Sequence, residues 1–284
     1  MNYKTITIKK TIKAPLELVY KSYVNPKDNI RWNTAGDGWT TSYATINAVT
    51  GGNYDVGYRS NDGKINFPVA GTYTEVIPNS KITSMMGDRK VNVDFVSVNS
   101  DTEVTITFDA ENENSMELQS KGWGNILNNF ATHVEKKAKV DYAVVDLNMS
   151  INASPKAIWK ALLDKDNYSL WTAPFTEGSY YEGKMEYGEI IKYHSPAHGY
   201  LKSEVLVCIP EYQISFKHLG FYSQQDVLEG EDWKNNRETY TINQNDNLTT
   251  LNIYQEMTKK EYEFFAPMWT KAIEILKSIA EKKN

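Results

Sequence analysis

The sequence predicts an α+β protein built as two tandem domains, each an antiparallel sheet packed against one long C-terminal helix. Three observations lead there. Residues 11–21 match residues 150–160 without a gap, and the same offset of 139 carries Trp32 onto Trp171. Near the end of each half a second match, at an offset of 146, sets Trp123, Ile126, Leu127, Phe130 and Val134 against Trp269, Ala272, Ile273, Leu276 and Ala280. Between these matches, each half runs through short strand-like segments punctuated by turn residues. A period this long is a whole domain present twice, not a solenoid repeat of a few dozen residues. The expected domains are residues 1–138 and 139–284.

Each half opens on an alternating strand, with Ile6, Ile8 and Ile12 in the first and Val145, Leu147, Met149 and Ile151 in the second. Ala14-Pro15 and Ala153-Ser154-Pro155 stop that strand and launch a helix, because proline fits the first helical turn. A second short helix follows Asn25-Pro26 and ends near Trp32. Turn signals then break up the strands: Gly51-Gly52, Asn61-Asp62-Gly63, Pro78-Asn79-Ser80 and Asn99-Ser100-Asp101, with Glu182-Gly183, Pro210-Glu211 and residues 245–247 in the second half. The closing helices show one apolar stripe each. Thr258-Lys259-Lys260-Glu261 reads as a capping box for the second.

At 284 residues the chain is comfortable for two domains. Its 40% hydrophobic and 24% charged residues describe a soluble globular protein, and a net charge of −5 argues against nucleic acid or an anionic membrane as main partner. The lone Cys208 excludes an internal disulfide and reads as a small buried strand residue. No stretch is apolar enough for a signal peptide or a membrane span, so the cytoplasm is the expected compartment.

The element order resembles the helix-grip fold of the START-like superfamily, in which a curved sheet wraps a long C-terminal helix around a cavity. Residues 29–33, 71–78 and 108–113, with Gly122-Trp123, resemble the family named after the C-terminal domain of the activator of Hsp90 ATPase. That resemblance spans nearly all of residues 3–137. The second half resembles the superfamily more loosely, through Ala153, Trp171, residues 175–179 and Trp269. It implies a fold more firmly than a function. The co-chaperones that give the family its name carry a separate N-terminal domain, and none precedes Tyr3 here, so a chaperone partner is the less supported expectation.

Six tryptophans are the candidate ligand-binding residues: Trp32, Trp39, Trp123, Trp171, Trp233 and Trp269. The two matched pairs either pack a core or line a cavity, since an indole serves both. Trp39 and Trp233 have no counterpart in the other half and sit in polar, glycine-containing stretches. A tryptophan there closes a pocket mouth or packs on its own loop. His194 and His198 are four apart, but Pro196 between them makes a loop without further ligands, so no metal is expected. His133 lies off its helix's apolar stripe and is expected in solvent; His218 reads as a strand residue. No nucleophile elbow or phosphate-binding glycine loop occurs, and no cofactor is indicated. Asp37, Asp94 and Glu111 are carboxylates that spacing alone does not separate from solvated ones. Pro267 in one long helix and Gly122/Gly124 in the other put helix-weakening residues beside the matched tryptophans.

The expected function is binding of a small hydrophobic molecule between sheet and helix. The alternatives are a cyclase- or hydrolase-like enzyme using the same cavity, or a protein-interaction module. The first alternative requires polar groups converging inside the cavity; a solid interior and a large exposed apolar patch would favour the second.

Overall fold

The computed structural model describes residues 3–36, 38–230, 233–245 and 248–282; Asp37 lies outside them. The chain divides into two compact units, Met1–Val140 and Asp141–Asn284.

The first unit runs β1 (Thr5–Ile12), α1 (Leu16–Val24), α2 (Pro26–Trp32), β2 (Trp39–Ile46), β3 (Asn53–Ser60), β4 (Asn66–Ile77), β5 (Lys81–Met86), β6 (Arg89–Val98), β7 (Asp101–Asp109) and α3 (Met116–Lys137). Its antiparallel sheet has the order β1-β7-β6-β5-β4-β3-β2. Every link from β2 to β7 is a hairpin, while α1 and α2 carry the chain from one edge strand to the other. Asn25 starts α2 by accepting a hydrogen bond from the Lys27 amide, with Pro26 behind it. Asn79 and Asn99 take φ of 59° and 57° in the tight β4–β5 and β6–β7 turns, a conformation asparagine tolerates. Register shifts at Thr41/Tyr43 and Tyr73/Glu75 mark bulges, which bend a sheet.

The second unit repeats the plan: β8 (Tyr142–Ile151), α4 (Pro155–Leu163), α5 (Lys165–Trp171), β9 (Tyr180–Glu182), β10 (Ile190–Ser195), β11 (Gly199–Ile209), β12 (Gln213–Tyr222), β13 (Leu228–Gly230), β14 (Arg237–Asn245), β15 (Leu248–Thr258) and α6 (Lys259–Ala280). The sheet order is β8-β15-β14-β12-β11-β10-β9, with β13 on β12. Thr258 and Glu261 form the full capping box at the start of α6. Helix α6 then runs unbroken through Pro267, as α3 runs through Gly122 and Gly124.

The matched tryptophans occupy the same elements. Trp32 and Trp171 each end the second short helix, and Trp123 and Trp269 lie in the long helices. One hydrogen bond recurs in both units at the two offsets. The Lys13 amide donates to Glu135 Oε1 at 3.0 Å, and the Asn152 amide donates to Glu281 Oε1 at 2.7 Å. Each ties the end of the first strand to the end of the long helix.

His133 departs from expectation. It is buried, with Nε2 3.0 Å from Asp28 Oδ1, and Lys137 Nζ lies 2.6 Å from Asp28 Oδ2. The helix stripe is wider than its apolar residues because α2 covers this polar edge. Burial alone would raise the Asp28 carboxyl; the hydrogen bonds and charges of His133 and Lys137 outweigh it and hold it below its ordinary value.

Candidate functional site

The two interiors differ. In the first unit aromatic rings pack against one another. Trp32 lies 5.4 Å from Tyr23 and 4.7 Å from Phe130, Tyr23 lies 5.4 Å from Phe95, and Trp123 stacks on Phe108 at 4.4 Å. Trp39 opens β2 and meets the edge of Phe67 at 5.4 Å. These three tryptophans are packing partners of their own unit.

The second unit holds a cavity of about 630 Å³, within the size range of small-molecule sites. Trp171, Trp233 and Trp269 all line it. Trp171 is fixed by its indole N–H donating to the Leu162 carbonyl at 3.1 Å. Trp269 stacks loosely on it at 6.2 Å and meets Phe175 at 4.9 Å. Trp233 bridges His218 and Phe265, at 5.7 and 5.8 Å between ring centres. Tyr168 and Tyr193, stacked at 5.8 Å, form another wall.

Strand register explains why this interior is open. Ile12 pairs with Thr102 in the first unit and Ile151 with Thr249 in the second, so Phe108 and Gln255 hold equivalent places. Val91 pairs with Phe108 and Glu238 with Gln255, which makes Val91 and Glu238 equivalent. The same registers set Phe95 against Ile242, while the repeat offsets set Tyr23 against Leu162 and Phe130 against Leu276. Four interior rings of the first unit are thus absent from the second, and two apolar places have become Glu238 and Gln255.

Those two residues anchor a polar cluster on the cavity wall. Gln255 Nε2 donates to Glu238 Oε2 at 3.0 Å, and its Oε1 accepts the Trp269 indole N–H at 2.9 Å. The Tyr240 hydroxyl donates to Glu238 Oε1. Behind them, His218 Nε2 stands 3.4 Å from Glu238 Oε2, and its Nδ1 lies 2.8 Å from Ser203 Oγ. The order Ser203–His218–Glu238 has the connectivity of a hydrolytic triad. Ser203 is fully buried and is not among the cavity-lining residues, so its hydroxyl is not presented to a ligand there. Tyr168, Tyr193 and Tyr240 are raised well above the ordinary phenol value, first by burial and next by the Glu238 charge, so they stay neutral at any physiological pH.

The remaining candidates lie elsewhere. Glu111 accepts hydrogen bonds from the Asn114 amide and side chain, shaping the turn before α3. Asp94 faces Lys81 across β5 and β6. The Cys208 thiol donates to the Met185 carbonyl and is raised by burial. No group of three or more His, Cys, Asp or Glu able to hold a metal ion occurs among the described residues. Among them, no helix is long and apolar enough to cross a membrane.

Glu238 and Gln255 were missed by sequence reasoning, yet they leave a signal. Leu251, Ile253, Gln255 and Met257 alternate on one buried face of β15, and Gln255 is the polar break in that phase.

This architecture defines a tandem helix-grip protein of the START-like kind. The chain belongs to the activator of Hsp90 ATPase homolog 1-like protein family, whose model matches residues 13–135. The AHSA1-like protein from Aeromonas hydrophila is 34% identical over 46% of this chain and 92% of its own, with a TM-score of 0.45. Over the whole length the fold is similar to two di-domain structures. The di-domain ARO/CYC StfQ from the steffimycin biosynthetic pathway has a TM-score of 0.55 at 10% identity, covering 97% of this chain and 98% of that one. The di-domain ARO/CYC BexL from the BE-7585A biosynthetic pathway has a TM-score of 0.53 at 10% identity, covering 99% and 100%. A search of curated proteins found no significant match.

Proposed function

We propose that the protein binds a small, largely hydrophobic molecule in its second unit. The observation that carries this reading is the 630 Å³ cavity, walled by aromatic rings and furnished with one convergent polar cluster. Such a combination gives apolar area for affinity and a few fixed polar groups for orientation. Trp171, Trp233 and Trp269 are the ligand-facing tryptophans in this reading, and Trp32, Trp39 and Trp123 maintain the first unit. The ARO/CYC proteins of similar architecture come from named biosynthetic pathways, which makes biosynthetic intermediates a reasonable class to screen.

The test is a fluorescence titration of the full chain with the neutral probe N-phenyl-1-naphthylamine. Saturable binding with energy transfer from tryptophan is expected. Leu163→Trp, which puts an indole where the cavity wall now stands, should abolish it, while Trp123→Phe should leave it unchanged. Absence of saturable binding, or equal binding by Leu163→Trp, overturns the proposal.

A second reading, proton transfer on the bound molecule, is supported by Glu238 and Tyr240 standing together on the cavity wall. It predicts deuterium uptake from D2O at an acidic C–H of a bound compound, lost in Glu238→Gln.

A further inference from the structure

The charge of the cavity narrows the class of ligand. Among the described residues, the lining contains Glu229, Glu238 and Glu261 and neither lysine nor arginine. Glu238 is the deep one, with its side chain 12% exposed. Its hydrogen-bond donors, the Tyr240 hydroxyl and the Gln255 amide, are neutral and bring no counter-charge. The nearest ring capable of a positive charge is His218, whose Nε2 makes no hydrogen bond across its 3.4 Å to the carboxylate. His194 and His198 also line the cavity, and His194 Nε2 faces Glu182 Oε2 at 3.2 Å, a carboxylate outside the lining. The three buried tyrosines stay neutral and bring aromatic rings, not charges, to the lining.

A ligand entering this space therefore meets a carboxylate flanked by Tyr168, Trp171, Tyr193, Tyr240 and Trp269. Aromatic faces attract cations through their quadrupole, most strongly where water is excluded, and a carboxylate in the same box adds to that attraction. An anionic ligand would find no lysine or arginine in the lining and would face three glutamates. We infer that the cavity selects a hydrophobic organic cation, an amine or quaternary ammonium carried on an apolar or aromatic body, with its charged end at Glu238. This rests on the proposed binding function and goes further by naming the ligand's charge.

The experiment uses three probes built on one naphthylmethyl body with the full chain, followed by isothermal titration calorimetry at pH 7. They are (naphthalen-2-ylmethyl)trimethylammonium, its neutral isostere 2-neopentylnaphthalene, and naphthalene-2-acetate. The cation should bind at least tenfold tighter than the neutral isostere, and the anion weaker than either. Glu238→Gln should shrink the tenfold preference to threefold or less while the neutral probe's affinity moves by no more than about threefold. Should that variant not fold, Tyr193→Leu serves: loss of one aromatic wall should weaken the cation more than the isostere. A neutral probe that binds wild type as tightly as the cation, or an anion that binds tightest, overturns the charge assignment and leaves the cavity reading standing. A cation preference that survives Glu238→Gln or Tyr193→Leu undiminished also overturns it. Failure of all three probes to bind overturns both readings.

Discussion

Converting the polar wall of the second unit into its counterpart from the first should expose a coupling between two residues. The variants are Glu238→Val, Gln255→Phe and the pair together, because Val91 and Phe108 hold those places in the first unit. Removing Glu238 alone strands the Tyr240 hydroxyl and the Gln255 amide, both of which donate to it. Removing Gln255 alone strands the Trp269 N–H and deprives Glu238 of a donor at 3.0 Å. An unsatisfied buried polar group costs about 1–3 kcal/mol, so each single change, affecting two such groups, should destabilise the second unit by about 2–6 kcal/mol. The double change leaves two stranded donors, not four stranded groups, and adds a ring facing the cavity. Its cost should therefore fall about 1–3 kcal/mol short of the sum of the singles, the range seen for residues in one hydrogen-bond network. Urea denaturation, with hydrogen exchange to assign the transition to the second unit, supplies the three values. Additivity within about 0.5 kcal/mol would refute the argument, because it would mean the two side chains do not act as one cluster.

Three further outcomes are expected. Gly122→Ala and Gly124→Ala should each stabilise the first unit by about 1 kcal/mol in thermal denaturation. A Cβ at Gly122 meets only Ala35 at 3.8 Å and one at Gly124 meets nothing within 4 Å, so loss of stability in either variant would sink the idea. The Asp28 carboxyl is held low in the folded state, so its contribution is present above the unfolded carboxylate pKa and is lost as pH falls from there through the folded value. Asp28→Asn should flatten the acid limb of the first unit's stability curve; an unchanged acid limb would show that the His133 and Lys137 contacts carry no net energy. Pro267→Ala should raise protection of α6 amides by up to about 3 kcal/mol, the usual cost of proline inside a helix. Equal hydrogen-exchange protection in the variant would show that the helix already accommodates the ring without loss.

Much of the fold was legible because it rests on periodicity and repetition. The alternation of Ile6, Ile8 and Ile12, the capping box at Thr258, and the paired tryptophans each report a local rule that the structure keeps. The duplication could be read at two offsets because the insertions between units fall in the sheet region, before the long helix. What could not be read was which copy is open. That depends on Tyr23, Phe95, Phe108 and Phe130 standing where the second unit has Leu162, Ile242, Gln255 and Leu276, and strand register is needed to align them. His133 was misread for a related reason: a polar residue off the apolar stripe is buried when another element supplies its partner, and Asp28 lies 105 residues away in sequence.

The cavity is not sealed: Phe264 and Glu229 in its lining are exposed, so water reaches it. Water needs two to four polar partners, which the cluster around Glu238 and Gln255 offers, as do the lining residues Thr172, Thr176, Ser179 and Ser195. Against Trp171, Phe175, Phe216 and Phe265 it finds rings. On the proposed reading, a molecule with an apolar body and one polar end would meet both surfaces at once, its body against the rings and its polar end at the carboxylate. The first unit needs no such molecule, because its own aromatic side chains already fill the corresponding places.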